Sequence, residues 1–233
     1  MKTYYPTITA LAPDEVRRYA GLSPAAEFSE TMLQAAARDA ILLSHPQGIW
    51  EIYGYDDSLH TVLSPVPLRL QGTKIQRYLA GAVQIAIMAV TIGPTLEEEV
   101  TQQFSGSTYT AALLLDAAGT TAVEQTADAV CRIIRHQATA SGLTSSDRFS
   151  PGYGDWGIAV QKEILELSYG SRLGLTLTAA GMLVPRKSVT AVIGFYPEQA
   201  QCYTVDSSQL GCTTCNQTQC LARKEMSRHD TDL

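Results

Sequence analysis

The chain has 233 residues, 45% of them hydrophobic, and a formal net charge of −6 at pH 7. That length and apolar content bury a sizeable core, as one large domain or two small ones. The acidic balance argues against a general nucleic-acid or anionic-membrane surface, both of which need clustered Lys and Arg. No run approaches the length of an apolar membrane span, and the first residues, Met1 to Pro6, lack the apolar core of a signal peptide.

Residues 3–10 hold β-favouring Tyr, Thr and Ile and predict a first strand. A helix starts at Pro13, with proline in the first turn and Asp14 and Glu15 at the positive end of its dipole. A second helix is expected from about Ser29 to Leu43, with Met32, Ala36 and Ile41 as a loose apolar stripe. Gly48–Tyr55 and His60–Leu70 read as two short strands, Thr73–Ala80 as a brief helix, and Val83–Ile92 as a buried strand. Gly93 and Pro94 then turn into a helix that Thr95 is placed to cap, with Glu97, Glu98 and Glu99 near its N-terminus.

The longest helical pattern runs from Tyr109 to Ala140, with Leu113, Leu114, Ala117, Val123, Ala127, Val130 and Ile134 as its apolar face. Gly119, Thr120 and Thr121 mark a place where it would kink. Asp116, Glu124 and Asp128 project acids from it, the last two one turn apart. Such acids are either a solvated face or, at Glu124, the lining of a site. Gly157–Leu167 predicts a helix with Ile158, Ile164 and Leu165 inward, and Gly174–Thr178 is open between strand and turn. Lys187–Tyr196 is the clearest late strand, with Val189, Ala191 and Ile193 on one buried face. Cys202–Val205 reads as a further strand before a cysteine-rich end. Helices interleaved with strands make an α+β body, assigned to residues 1–205, with a tail at 206–233.

Between the long helix and the last strand lies Arg148-Phe-Ser-Pro-Gly-Tyr-Gly-Asp-Trp156. Pro151, Gly152 and Gly154 rule out a helix, and the lack of alternation rules out an ordinary strand. The segment reads either as a fixed loop presenting its guanidinium, carboxylate and aromatic rings to a ligand or as a packed turn with none. Gly152–Gly157 matches the letters of a dinucleotide fingerprint, but no buried strand leads into it, so that reading is rejected. There is no P-loop, nucleophile elbow, zinc-protease helix or corrinoid-ligating histidine motif, and the four histidines are scattered.

Of five cysteines, Cys131 is alone mid-chain, while Cys212, Cys215 and Cys220 have spacing suited to zinc or an iron–sulfur cluster, with Cys202 a fourth candidate ligand. An odd, crowded set of thiols fits a reducing cytoplasm better than a disulfide framework.

Glu124, the Arg148–Asp155 segment, Gln161, Leu175-Thr176, Met182–Pro185 and Lys187–Thr190 follow one another in an order that resembles the activation, or S-adenosylmethionine-binding, domain of cobalamin-dependent methionine synthase in a stand-alone form. Asp14–Gly21 and the Thr91–Gly93 turn extend the resemblance over nearly the whole chain. It implies a curved, mainly antiparallel sheet with helices on one side. It implies S-adenosylmethionine as cofactor, with Arg148 on the methionine carboxylate, Glu124 near the sulfonium, and Tyr153, Pro151 and Gly152 contributing contacts. It implies a subunit that supports reductive methylation of cob(II)alamin held by a partner, a methionine synthase or another corrinoid protein, with flavodoxin or ferredoxin as electron donor. No catalytic dyad is needed, because the cobalt nucleophile and the sulfonium are already reactive.

Larger methionine synthases carry a proline, a cysteine and a histidine after the tyrosine, where this chain has Gly154, Asp155, Trp156 and Gly157, so Asp155 and Trp156 receive no role from the resemblance. A rival reading makes the chain a non-catalytic corrinoid-protein-binding module, or a redox protein using the cysteine tail.

Overall fold

The computed structural model describes residues 1–22 and 27–197. The expected Cys202–Val205 strand, the tail at 206–233 and the four C-terminal cysteines lie outside the described residues. The fold is α+β, with a mainly antiparallel sheet and the helices packed mainly on one side.

Strands β1 (Lys2–Tyr4), β2 (Gln47–Asp56), β3 (Thr61–Leu63), β4 (Leu68–Arg69), β5 (Gln84–Thr91), β6 (Leu143–Ser145) and β9 (Ser188–Pro197) form one sheet in the order β4-β3-β2-β5-β9-β6, with β1 added to β2. A separate hairpin joins β7 (Thr176–Leu177) to β8 (Leu183–Val184). Every pairing between these strands is antiparallel. The helices are α1 (Pro13–Tyr19), α2 (Glu30–Leu43), α3 (Thr73–Tyr78), α4 (Thr95–Ser105), α5 (Tyr109–Ala140) and α6 (Gln161–Ser168). No described helix is long and apolar enough to cross a membrane.

The strand period of two divides the core. Ala86, Met88 and Val90 of β5 join Ala191, Ile193 and Phe195 of β9 under α5 and its neighbours α1, α2 and α4. Ile85, Ile87, Val192 and Tyr196 face the other way, into a layer closed by Tyr78 of α3, Ile164 of α6, Phe149 and Trp156. Both faces of β9 are therefore buried, where its pattern predicts one. The long helix lies close to the sheet because small residues line the contact. A Cβ added at Gly48 of β2 would lie 2.3 Å from Val130 Cγ2, and one at Gly119 would lie 2.6 Å from Leu96 Cδ2 on α4. Gly119 thus marks a helix crossing, and α5 continues unbroken through the predicted kink.

Other expectations change for local reasons. The first strand stops at Tyr4, two residues before Pro6, which has no N–H to offer a ladder, and β1 pairs with only three residues of β2. The predicted 60–70 strand divides into β3 and β4 at Pro65 and Pro67. Thr95 sits inside α4 and makes no cap; Pro94 occupies the cap position. In α2 the buried stripe is Leu33, Ala36 and Ala40, with Met32 exposed, while Ser29 Oγ accepts from Met32 N at 3.4 Å as an N-cap. Leu113 is exposed on α5, and Ile158 lies in a short 3₁₀ turn (Ile158–Val160) ahead of α6 with 40% of its surface exposed. The ambiguous 174–178 stretch supplies β7, and the unforeseen β6 covers the edge of β9.

Candidate functional site

The 148–156 segment is fastened to the sheet at one residue. Phe149 N donates to Val192 O and Val192 N to Phe149 O, both at 2.9 Å, so Phe149 extends the sheet edge beyond β6. Ser146 reinforces this: its N donates to Gly194 O, and its Oγ accepts from Gly194 N, both at 2.9 Å. Tyr196 OH donates to Tyr78 O at 2.6 Å, and Tyr78 OH donates to Asp147 O at 2.5 Å. Phe149 enters the aromatic layer, its ring 5.0 Å from that of Tyr78 and 5.9 Å from that of Trp156. Alternation then turns Arg148, one residue earlier, toward the α5 side.

The turn that follows is built from within. Tyr153 N donates to Ser150 O, Trp156 N to Tyr153 O, and Gly152 N to Trp156 O. Gly152 (φ 90°) and Gly154 (φ 60°) hold left-handed conformations that side chains disfavour, and a Cβ on Gly154 would strike Lys74 Cδ at 2.3 Å. Trp156, read from sequence as a presented ring, is 1% exposed and belongs to the core. Asp155, also read as presented, caps a neighbouring helix. Its carboxylate accepts from Thr73 N at 2.7 Å and Lys74 N at 3.0 Å, at the start of α3. Gly72, at the cap position, has no side chain to do this and leaves room for Asp155. The Lys74 N–H does most to hold the Asp155 carboxyl below the usual carboxylate range, with Thr73 adding to it.

On the other side, Arg148 meets α5. Its Nη2 donates to Glu124 Oε2 and its Nη1 to Asp128 Oδ1, so both acids, one helical turn apart, hold the same guanidinium. Burial works against the Arg148 charge, but Glu124 and then Asp128 outweigh it and raise the pKa above the ordinary arginine value. The cluster is graded in exposure: the Arg148 side chain is 21% exposed and that of Asp128 is 58% exposed. Burial pushes the Cys131 thiol up while Arg148 pulls it down, and Cys131 Sγ lies 3.7 Å from Met88 Sδ. Tyr19 of α1 is raised by burial and then by the Glu124 charge, which puts the end of α1 beside the cluster.

Two clefts flank this cluster along α5. One, of about 480 Å³, lies between Asp128, Arg132 and Arg135 on the helix and Ser146, Asp147 and Arg148 on the incoming segment. Another, of about 320 Å³, lies between the 6–10 stretch and Gln125, Asp128, Ala129 and Arg132. Asp128 and Arg132 belong to both. The structure brings Arg148 and Glu124 together as an ion pair, with Arg148 on the wall of the larger cleft and Glu124 on the wall of neither. Tyr153, Pro151 and Gly152 are not among the walls of either cleft; Tyr153 is 53% exposed on the turn, edge-on to Phe149 at 5.7 Å.

From sequence Asp128 reads as one member of a solvated acidic face, and no motif singles out Arg132 or Arg135. The i, i+4 spacing of Glu124 and Asp128 is the available signal. Gln161 and Thr190 prove to be core partners, Gln161 Nε2 donating to Thr190 Oγ1 at 2.6 Å, and Lys187 reaches Asp116 at 2.9 Å on α5. Among the described residues no group of three or more His, Cys, Asp or Glu side chains is placed to hold a metal.

No protein-family profile and no curated protein sequence matches the chain. Among solved structures it is similar to a crystal structure of the MetH reactivation domain bound to AdoHcy, with a TM-score of 0.55 and 15% identity, over 85% of this chain and 79% of that one. At that identity the likeness establishes the fold.

Proposed function

We propose that this chain is a stand-alone activation subunit that binds S-adenosylmethionine and supports reductive methylation of a cobalamin carried by a partner methionine synthase or related corrinoid protein. The observation that carries the reading is the Arg148–Glu124–Asp128 cluster, open to solvent beside a cleft, in a fold shared with a domain whose solved structure holds AdoHcy.

The donor set fits the ligand's chemistry. One guanidinium against two carboxylates leaves the cluster with one net negative charge. S-adenosylmethionine carries a carboxylate, an ammonium and a sulfonium, hence one net positive charge. The ligand's two cations can take over Glu124 and Asp128, which releases Arg148 donors to its carboxylate. Tyr153, Pro151 and Gly152 are kept as ligand contacts on the resemblance alone, since they lie outside both clefts. Bound there, S-adenosylmethionine would supply an activated methyl group to a reduced corrinoid on the partner and leave as S-adenosylhomocysteine. The chain's residues bind and orient, and contribute no proton transfer. A flavodoxin or ferredoxin supplies the electron that reduces cob(II) to cob(I), and the tail cysteines stand as a metal or cluster site on spacing alone.

The test adds this chain to a cobalamin-loaded methionine synthase fragment lacking its own activation domain, with S-adenosylmethionine and a one-electron reductant. The cob(II)alamin absorbance is expected to give way to methylcobalamin only when the chain is present. No dependence on the chain would refute the reading.

A further inference from the structure

The arginines around the larger cleft differ in what holds them, and one of them belongs to no motif. Three line that cleft. Arg148 is held by Glu124 and Asp128, and Arg135 contacts Asp147 at 3.3 Å. Arg132 is exposed and makes no ion pair among the described residues.

Its natural partner is close by. Asp128 lies four residues earlier on α5, the spacing at which an acid and an arginine ordinarily meet on a helix surface. That carboxylate is turned instead toward Arg148, across the gap between α5 and the incoming segment. Arg132 therefore keeps an uncompensated charge at the junction of the two clefts, both of which it lines. The α5 residues bordering those clefts run from Gln125 to Arg135, about 15 Å along the helix. Two clefts that meet at Asp128 and Arg132 suit an extended ligand with an anionic end, and Arg132 stands where they meet.

We infer that Arg132 is a second carboxylate-recognising residue for S-adenosylmethionine, supplying a second positive charge beside Arg148. The inference rests on the S-adenosylmethionine reading of the same site. It makes Asp128 a selector: by engaging Arg148 before the ligand arrives it leaves Arg132 open to the incoming carboxylate. A guanidinium at this position offers a forked pair of donors that a carboxylate matches, whereas lysine offers only a point charge.

The experiment is a calorimetric titration, at low ionic strength to limit screening, of wild type, Arg132→Ala and Arg132→Lys with two ligands. One is S-adenosylmethionine; the other is its decarboxylated form, which keeps the ammonium and sulfonium. Arg132→Ala is expected to weaken S-adenosylmethionine about tenfold, the loss of one charge-assisted hydrogen bond, with a smaller loss for Arg132→Lys. The decarboxylated ligand is expected to bind wild type and Arg132→Ala alike. Unchanged S-adenosylmethionine binding in Arg132→Ala, with binding still present in wild type, overturns the role of Arg132 and leaves the site reading standing. Equal losses for both ligands overturn it too, since the contact would then not be to the carboxylate. Absence of binding by wild type removes the site reading and this inference together.

Discussion

The two ends of the 148–156 segment are made of different material. At Trp156 the chain is anchored by apolar burial: the ring is almost wholly enclosed against Phe149 and the second face of the sheet. At Arg148 it is held by charge, with a partly exposed guanidinium shared by two acids of α5. The paired hydrogen bonds of Phe149 to Val192 separate the two, and strand alternation sends Arg148 and Phe149 to opposite faces. Burial of a large ring is worth several times an exposed ion pair. The Trp156 end therefore carries stability, and the Arg148 end is free to exchange partners when a ligand arrives. A binding loop with a rigid root and an exchangeable tip follows from that division.

The largest effect tests the root. Trp156→Ala is expected to cost about 3–5 kcal/mol in chemical denaturation, the usual range for emptying a buried aromatic site. Trp156→Phe should cost much less, because Trp156 Nε1 has no hydrogen-bond partner among the described residues and the ring stacking survives. Similar losses for both variants would mean that the indole nitrogen, not burial, secures the root.

Next comes the tip. Arg148→Ala should lose about 2 kcal/mol of stability, as expected for a part-buried guanidinium whose two acids keep contact with water, yet weaken S-adenosylmethionine binding by about 30-fold. A stability loss as large as that of Trp156→Ala would erase the contrast between the two ends. Glu124→Gln should narrow the preference for S-adenosylmethionine over S-adenosylhomocysteine by a few-fold, since only the former carries the sulfonium charge; competition binding reads this directly.

The smallest effect concerns Asp155, which ties the turn to α3. Its carboxyl titrates below the ordinary aspartate value of about 3.9 because Lys74 N–H and then Thr73 N–H bind the ionised form. The cap therefore contributes fully above that ordinary value and is lost as pH falls through the lower folded one. Asp155→Asn should keep most of the melting temperature near neutral pH and flatten its acid-side decline. An unchanged acid slope would show that the cap does not titrate with folding.

Much of the frame is legible in the residues themselves. The long helix is plain from its apolar spacing and β5 and β9 from their branched residues, while motif order singles out Arg148 and Glu124, which the fold joins as an ion pair. Trp156 is not legible as core, because its neighbours are glycines, a proline and an aspartate, and its burial comes from α3 and the far face of the sheet. Nor is Asp155 legible as a cap, since the helix it serves begins 82 residues away in the chain. Three-residue strands such as β6 carry too little pattern of their own; pairing with β9 makes them. Asp128 and Arg132 are hidden for a related reason. Acids and arginines along a helix usually face water, and only the incoming segment decides which of them pair.

The most direct test of the central claim is a calorimetric titration of S-adenosylmethionine into the isolated chain and its Arg148→Ala variant. Saturable single-site binding by the wild type, severely weakened in a variant that keeps its fold by circular dichroism, is the predicted result. No heat of binding in the wild type, or equal affinity in the two proteins, would contradict it.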